Sequence, residues 1–228
     1  MSREVYIVPE HEFEAAPGLP EPLPKGEALL WQGSPEWKTL AVNAFHIRKL
    51  TVYFAIILAL RVVSALPEGS NLAEVAISIA ILAPIAGLSI GLMAFMAWLT
   101  ARSTMYTITD QRIVMRIGIV LSVTFNLPFK SLDRVGLKRF ANGTGDLVLA
   151  IGANDHIAYL HLWPHARPWK FAKPEPMLRS IANVVAVANT LSQAMKTASG
   201  GVAIAVGEQH FPTTETTEQA GSGWAAAA

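Results

Sequence analysis

Charge is scarce in this sequence and cysteine is missing altogether: only 15% of the 228 residues are Asp, Glu, Lys or Arg, and there is no Cys. Without cysteine, disulfide scaffolds, thiolate zinc sites, iron–sulfur clusters and thiol nucleophiles are excluded. A formal net charge of +1 lacks the basic balance of a dedicated nucleic-acid binder, so no nucleic-acid partner is expected. The chain contains no P-loop, no dinucleotide-binding glycine fingerprint and no HExxH string, and its GLSIG string at 87–91 lies inside an apolar run. Its Ser, His and Asp residues fall in no order that suggests a triad. These absences argue against an enzyme, assign no catalytic residue, and favour a protein that works by contact.

What the sequence has in excess is apolar residues, 52% of the chain, concentrated between positions 50 and 99. Residues 50–66 (LTVYFAIILALRVVSAL) are 17 in number with Arg61 as their one charge, and residues 75–99 (VAISIAILAPIAGLSIGLMAFMAWL) are 25 with none. A hydrocarbon core of about 30 Å needs about 20 helical residues, so 50–99 is expected to be a transmembrane hairpin of two helices. The first run starts far from Met1 and lacks a small-residue cleavage site, which sets it apart from a cleaved leader. The turn at 67–71 has no Lys or Arg, whereas His46, Arg48 and Lys49 precede the hairpin and Arg102 follows it. The positive-inside rule then predicts a multi-pass protein of the bacterial inner membrane, cytoplasmic or intracytoplasmic, with both termini in the cytoplasm.

Within the hairpin, Tyr53 and Trp98 fit an aromatic belt. Arg61 and Glu74 are a candidate intramembrane pair, with snorkelling of each to the outer interface as the alternative. Ala83, Gly87 and Gly91 form a small-residue stripe at four-residue spacing, matched by Ala55 and Ala59 on the first helix. Either the two stripes pack against each other, or the glycine stripe, beside a kink at Pro84, is a helix-docking or homodimer face.

The flanks divide into an acidic, Pro-rich flexible arm (1–25), a lead-in strand and interfacial segment (26–49), a β domain (100–198) and a disordered tail (199–228). Segments 103–109, 112–117, 120–126, 132–140, 146–151 and 157–162 have strand character, separated by turn residues at hairpin spacing. Residues 174–197 carry Met177, Leu178, Ile181, Val184, Val185, Ala188, Leu191 and Met195 at helical spacing. The 143–146 run (GTGD) reads as a tight hairpin rather than a phosphate cradle. Lys130, Arg134, Lys138 and Arg139 fall within ten residues, a candidate contact for anionic lipid or an acidic partner, or a charged strand edge. His161 and His165 have ligand-pair spacing, but Pro164 between them breaks the helix such a pair needs, so no metal site is expected. His46, at the membrane edge, is the one histidine near enough for a pigment, and an interfacial role is its default; no cofactor is expected.

The strings YTITDQRIVMRIG, LPFKSLDRV and GTGDLVLAIG, with GEALLWQGSP upstream, resemble the bacterial pleckstrin-homology-like domain found beside transmembrane hairpins. The resemblance covers 26–197 and implies an α+β domain, an antiparallel β sandwich or barrel with a C-terminal amphipathic helix. The whole layout, with LLWQGSPEW, AFHIRKL and HLWPHARPWKFAKPEPMLR, resembles the photosynthetic-complex assembly protein family (PuhB) of purple bacteria. That resemblance implies a non-enzymatic inner-membrane factor for the reaction centre and light-harvesting complex, with their subunits and membrane lipids as partners. A general membrane-surface or anionic-lipid-binding module is the alternative. In the distinctive 161–171 string, His161, Trp163, His165, Arg167 and Trp169 are the candidate partner contacts.

Overall fold

The computed structural model describes residues 19, 23–65, 72–152, 157–199 and 206–208. Strand β1 (Leu29–Gly33) comes first and is followed by three helices, α1 (Trp37–Asn43), α2 (Ile47–Ala65) and α3 (Leu72–Ser103). The other strands come only after this helical insert: β2 (Met105–Thr109), β3 (Arg112–Ile117), β4 (Val123–Pro128), β5 (Leu132–Arg139) and β6 (Gly145–Ile151). A single turn α4 (Tyr159–Leu162), β7 (Met177–Ile181), α5 (Val184–Ala198) and β8 (Val206–Glu208) complete the described chain.

The strands form two four-stranded sheets, ordered β1-β2-β3-β4 and β7-β6-β5-β8. All pairings are antiparallel except that of β8 with β5. β1 is thus an integral strand of the first sheet, with Gly33 opposite Tyr106 and Gln32 opposite Thr107. The expected boundary at residue 100 falls away: the β domain draws one strand from the 26–49 segment, and the helices interrupt it. Side-chain alternation explains the layering. Tyr106 and Ile108, Ile113 and Met115, and Leu147 and Leu149 point inward, and α5 covers the sandwich with Val184, Val187, Leu191 and Met195.

Two expected elements change identity. Residues 157–162 contain the turn α4 and no strand. The strand that replaces it is β7, drawn from residues whose spacing suggested the start of the last helix. Pro174 and Pro176 keep the preceding backbone extended, and Asn183, at φ 49°, makes the left-handed step that lets α5 begin at Val184. The 1–25 arm and 199–228 tail lie outside the described residues except for 19, 23–25, 199 and 206–208.

Among the described residues one helix, Ala73–Ser103, is long and apolar enough to cross a membrane, and only 6% of its most apolar stretch is buried. α2 packs along it but carries Arg48, Lys49 and Arg61 in its 19 residues. The last turns of α3 bury Ala97, Thr100 and Ala101, where Leu40 and Ala41 of α1 are also buried.

The turn between β5 and β6 is pinned from both sides. Asn142 Oδ1 accepts from the Thr144 amide and hydroxyl, and its Nδ2 donates to Thr39 Oγ1 on α1. A methyl group on Gly145 would lie 2.3 Å from the Lys138 carbonyl oxygen and 2.6 Å from Val184 Cγ1. Gly145→Ala is therefore expected to lower stability by about 1–3 kcal/mol through overpacking, measured by thermal or denaturant unfolding of the full chain.

Candidate membrane-proximal contact site

The 161–171 string meets the residues that follow α3 and those that precede α2, and its members separate into an anchor and a display. His165 is the anchor, 1% exposed. Its Nδ1 lies 2.7 Å from Tyr106 Oη and its Nε2 lies 3.1 Å from Thr104 Oγ1. Tyr106 Oη already accepts from the Arg179 backbone N–H at 3.1 Å, so its own proton goes to Nδ1, and the network assigns the imidazole proton to Nε2, which donates to Thr104. The chain of bonds runs from β7, through β2 and His165, to the residue directly after α3. Burial, with Arg179 nearby, pushes the His165 pKa down to about 3. Burial likewise pushes the Tyr106 phenol well above its ordinary range. Both groups are neutral and serve as structural hydrogen-bond partners.

Behind His165 the backbone closes on itself. Its carbonyl accepts from the Met177 N–H at 2.8 Å, and Arg167 N–H donates to the Glu175 carbonyl at 2.9 Å. The Glu175 carboxylate takes Arg167 Nη1 at 2.7 Å and Lys170 Nζ at 2.9 Å. Burial alone pushes Glu175 up, but the bonds from Lys170 and Arg167 outweigh it and hold the carboxyl below its ordinary value. Arg167, offered by the sequence as a partner contact, is therefore engaged within this loop. The clamp holds out Trp169, which is 88% exposed at φ 65°, and Phe171, whose ring lies 4.8 Å from that of Tyr159 at a tilt of 53°. Trp163, also exposed, meets Phe45 edge-on at 5.8 Å just ahead of α2. His161 lies on α4.

The stripe on α3 is open. A Cβ added at Gly87 or Gly91 would meet nothing within 4 Å, and Ala83 is exposed. Ala55 and Ala59 on α2 are exposed too, so the two stripes do not pack together. The more covered positions of α3 run through Ser78, Leu82, Ala86, Ile90 and Met93, more than a third of a turn away from the glycines. The Arg61–Glu74 pair does not form. Arg61 Nη2 donates to Ser78 Oγ at 3.1 Å, one turn past Glu74, and Ser78 donates to the Glu74 carbonyl at 2.9 Å. At the C-terminal end of α3 Arg102 lies 5.6 Å over the Trp98 ring, and Trp98 stacks on Phe95 at 6.0 Å.

The basic residues do not gather into one patch. Lys130 lies on the turn before β5 and the others are strung along it, with Arg134 and Arg139 about 17 Å apart at about 3.3 Å per residue. Arg134, Arg139 and Lys130 are exposed. Lys138 sits opposite Asp146 and 5.5 Å from the Phe140 ring. Burial pushes the Asp146 carboxyl up, against Arg179, the Ser180 N–H and Lys138, which act to lower it.

Sequence reasoning did not single out Thr104, Tyr106 or Arg179. The available signal was Arg179 as a lone charge in the apolar string MLRSI. The β3–β4 loop adds an exposed apolar tip, with Val120 91% and Leu121 82% exposed. Because Arg116 pairs with Met105, this loop lies beside the C-terminal end of α3.

An antiparallel β sandwich closed by a C-terminal amphipathic helix is the class of domain the fold defines. A family model described as "Bacterial PH domain" matches residues 50–195, and the chain belongs to that family. It is 39% identical over 189 residues, 81% of this chain and 87% of the other, to a Rhodobacter capsulatus protein named "Uncharacterized 23.7 kDa protein in puhA 5'region". This agrees with the PuhB-type resemblance. A crystal structure of a DUF1696 family protein with a pleckstrin-homology domain from Shewanella loihica PV-4 aligns with 40% of this chain and 71% of that one, at 14% identity and a TM-score of 0.27.

The His165 pKa gives a pH prediction with a definite sign. Unfolded His165 takes up a proton near 6.5, and the folded group only near 3, so between those values the unfolded state binds more protons. The stability contribution is complete above the unfolded value and is lost as pH falls from about 6.5 toward 3, by up to about 1.4 kcal/mol per pH unit. Melting curves of full-length protein between pH 7.5 and 4.5 are expected to show this component in the wild type and to lack it in His165→Asn.

Proposed function

We propose that this protein is a non-enzymatic assembly factor of the photosynthetic membrane, holding a helical client of the reaction centre and light-harvesting complex by protein–protein contact. The observation that carries this reading is the bare face of α3. A bilayer-exposed helix with glycines facing open space accepts another helix backbone at close approach, the geometry in which dispersion contacts replace the missing hydrophobic drive between helices. The name of the Rhodobacter capsulatus relative, placed in the 5′ region of puhA, supports a photosynthetic setting. Family membership alone leaves function open, because one fold serves many sites.

In this reading α2 and α3 cross the bilayer as a hairpin, with both termini in the cytoplasm. The pairing of β1 with β2 supports it. Paired strands lie on one side of the membrane, so the helices between them cross an even number of times, and α2 is the partner long enough to match α3. The 19 residues of α2 span about 28 Å, and the 32 of α3 about 48 Å. A core of about 30 Å then leaves the last turns of α3 below the bilayer, where they pack on α1. His46, Arg48, Lys49 and Arg102 mark the cytoplasmic side. The Val120–Leu121 loop and the aromatic display rest the β domain against the same membrane surface.

Replacing Gly87 and Gly91 together with Leu is expected to fill the stripe and lower the yield of assembled complex several-fold, at unchanged cellular level of the protein. The measurement is absorbance of the assembled complex in membranes alongside immunoblotting. An unchanged yield overturns the docking role.

A further inference from the structure

Arg179 is a charged group in the interior that the fold leaves without a counter-charge. It is 7% exposed, and its Nε has no hydrogen-bond partner. Nη2 reaches only the Ala166 carbonyl, at 3.5 Å. Among the described residues no carboxylate forms an ion pair with it. Asp146, whose charge it feels, uses Oδ1 to accept the Ser180 N–H at 2.8 Å. A guanidinium taken out of water without an anion is costly, and a buried polar atom left unpaired calls for a partner.

The same side chain lines a cavity of about 290 Å³ whose walls include Asn43 and His46 on one side and Trp163, Trp169 and Phe171 on the other. The first wall immediately precedes α2, whose apolar run begins at Leu50, one helical turn into it. The second wall is the clamped loop, and its three aromatic rings are exposed. The cavity thus combines a cation with exposed aromatic rings and, on the reading above that α2 crosses the bilayer, lies at the level where the chain enters the apolar phase. Aromatic side chains with one apolar and one wet side suit that level, and a planar guanidinium suits phosphate oxygens. A free phosphate ion explains the arginine but gives no use to the rim.

We propose that this cavity binds the headgroup of an acidic membrane phospholipid, with Arg179 as counter-charge to the phosphate and Trp163, Trp169 and Phe171 against the apolar part nearest the headgroup. The site is separate from the glycine stripe of α3 and from the basic residues along β5, and it does not depend on the assembly role. It makes Arg179 a lipid ligand held in place by the sheet.

Native mass spectrometry of the full-length protein in detergent tests this with phosphatidylglycerol, phosphatidylcholine and inorganic phosphate. Wild type is expected to retain phosphatidylglycerol in preference to phosphatidylcholine, and Arg179→Met to lose about tenfold in that preference, the scale of one charged hydrogen-bonded contact. Arg179→Lys is expected to keep part of it. Trp169→Ala with Phe171→Ala, at exposed positions outside the core, is expected to retain less phosphatidylglycerol with unchanged circular dichroism, and it decides the matter if Arg179→Met does not fold. Equal retention of both lipids by wild type overturns the proposal, as does full retention by the aromatic double variant. Saturation by inorganic phosphate without a lipid preference overturns it as well. So does a preference lost in Arg134→Gln with Arg139→Gln but kept in a folded Arg179→Met.

Discussion

The relation between the end of α3 and the β domain depends on one buried imidazole. His165 meets Thr104, which directly follows α3, and Tyr106, which holds the β7 backbone. Each bond is modest alone, worth about 1 kcal/mol net. Their arrangement matters more, because all the groups are out of water and each would be costly unpaired. Three parts of the chain that are distant in sequence are therefore fixed relative to one another by a single neutral side chain. Thr104 cannot drift from the loop that carries Trp163 and Trp169 without leaving a buried nitrogen unsatisfied.

This junction gives the loop its character. Arg167, Glu175 and Lys170 close it from behind, so the aromatic residues are shown by a rigid frame. Rigidity is useful in a contact surface because less side-chain and loop freedom is lost on binding. The α3 face offers the opposite: small residues with no contacts of their own, suited to a partner that brings the bulk. One end of the molecule presents side chains, the other presents space.

Much of this was legible from sequence, for local reasons. The alternation in RIVMRI gives β3 at its observed bounds, and the turn signal in NGTG places the β5–β6 hairpin. Residues 177–183 misled because Met177 and Ile181 continue the helical period of Val184 and Ala188, while the left-handed Asn183 that separates strand from helix has no distinctive signature. The strand expected at 157–162 failed for a related reason: a short apolar run does not by itself distinguish a strand from a helical turn. The roles of His165 and Arg179 were hidden more deeply. Their partners lie some sixty residues away or on another sheet, and nothing in a linear string marks a histidine as a buried connector. The glycine stripe was plain in the sequence, but that it faces open space is a property of how α2 and α3 pack.

The interruption of the first sheet by the helices bears on the order of synthesis. β1 leaves the ribosome first and has no partner until β2 follows, about seventy residues later, with both apolar helices made in between. At roughly 5–20 residues per second, the strand waits several seconds with its pairing edge uncovered. Closing the sheet also brings the two ends of the helical insert together, and only then can α5 seal the core. The β domain is thus a late event in biogenesis. Because β1 and β2 flank the helical insert, the first sheet closes only when both ends of that insert lie on one side, and a chain that separates them leaves β1 unpaired.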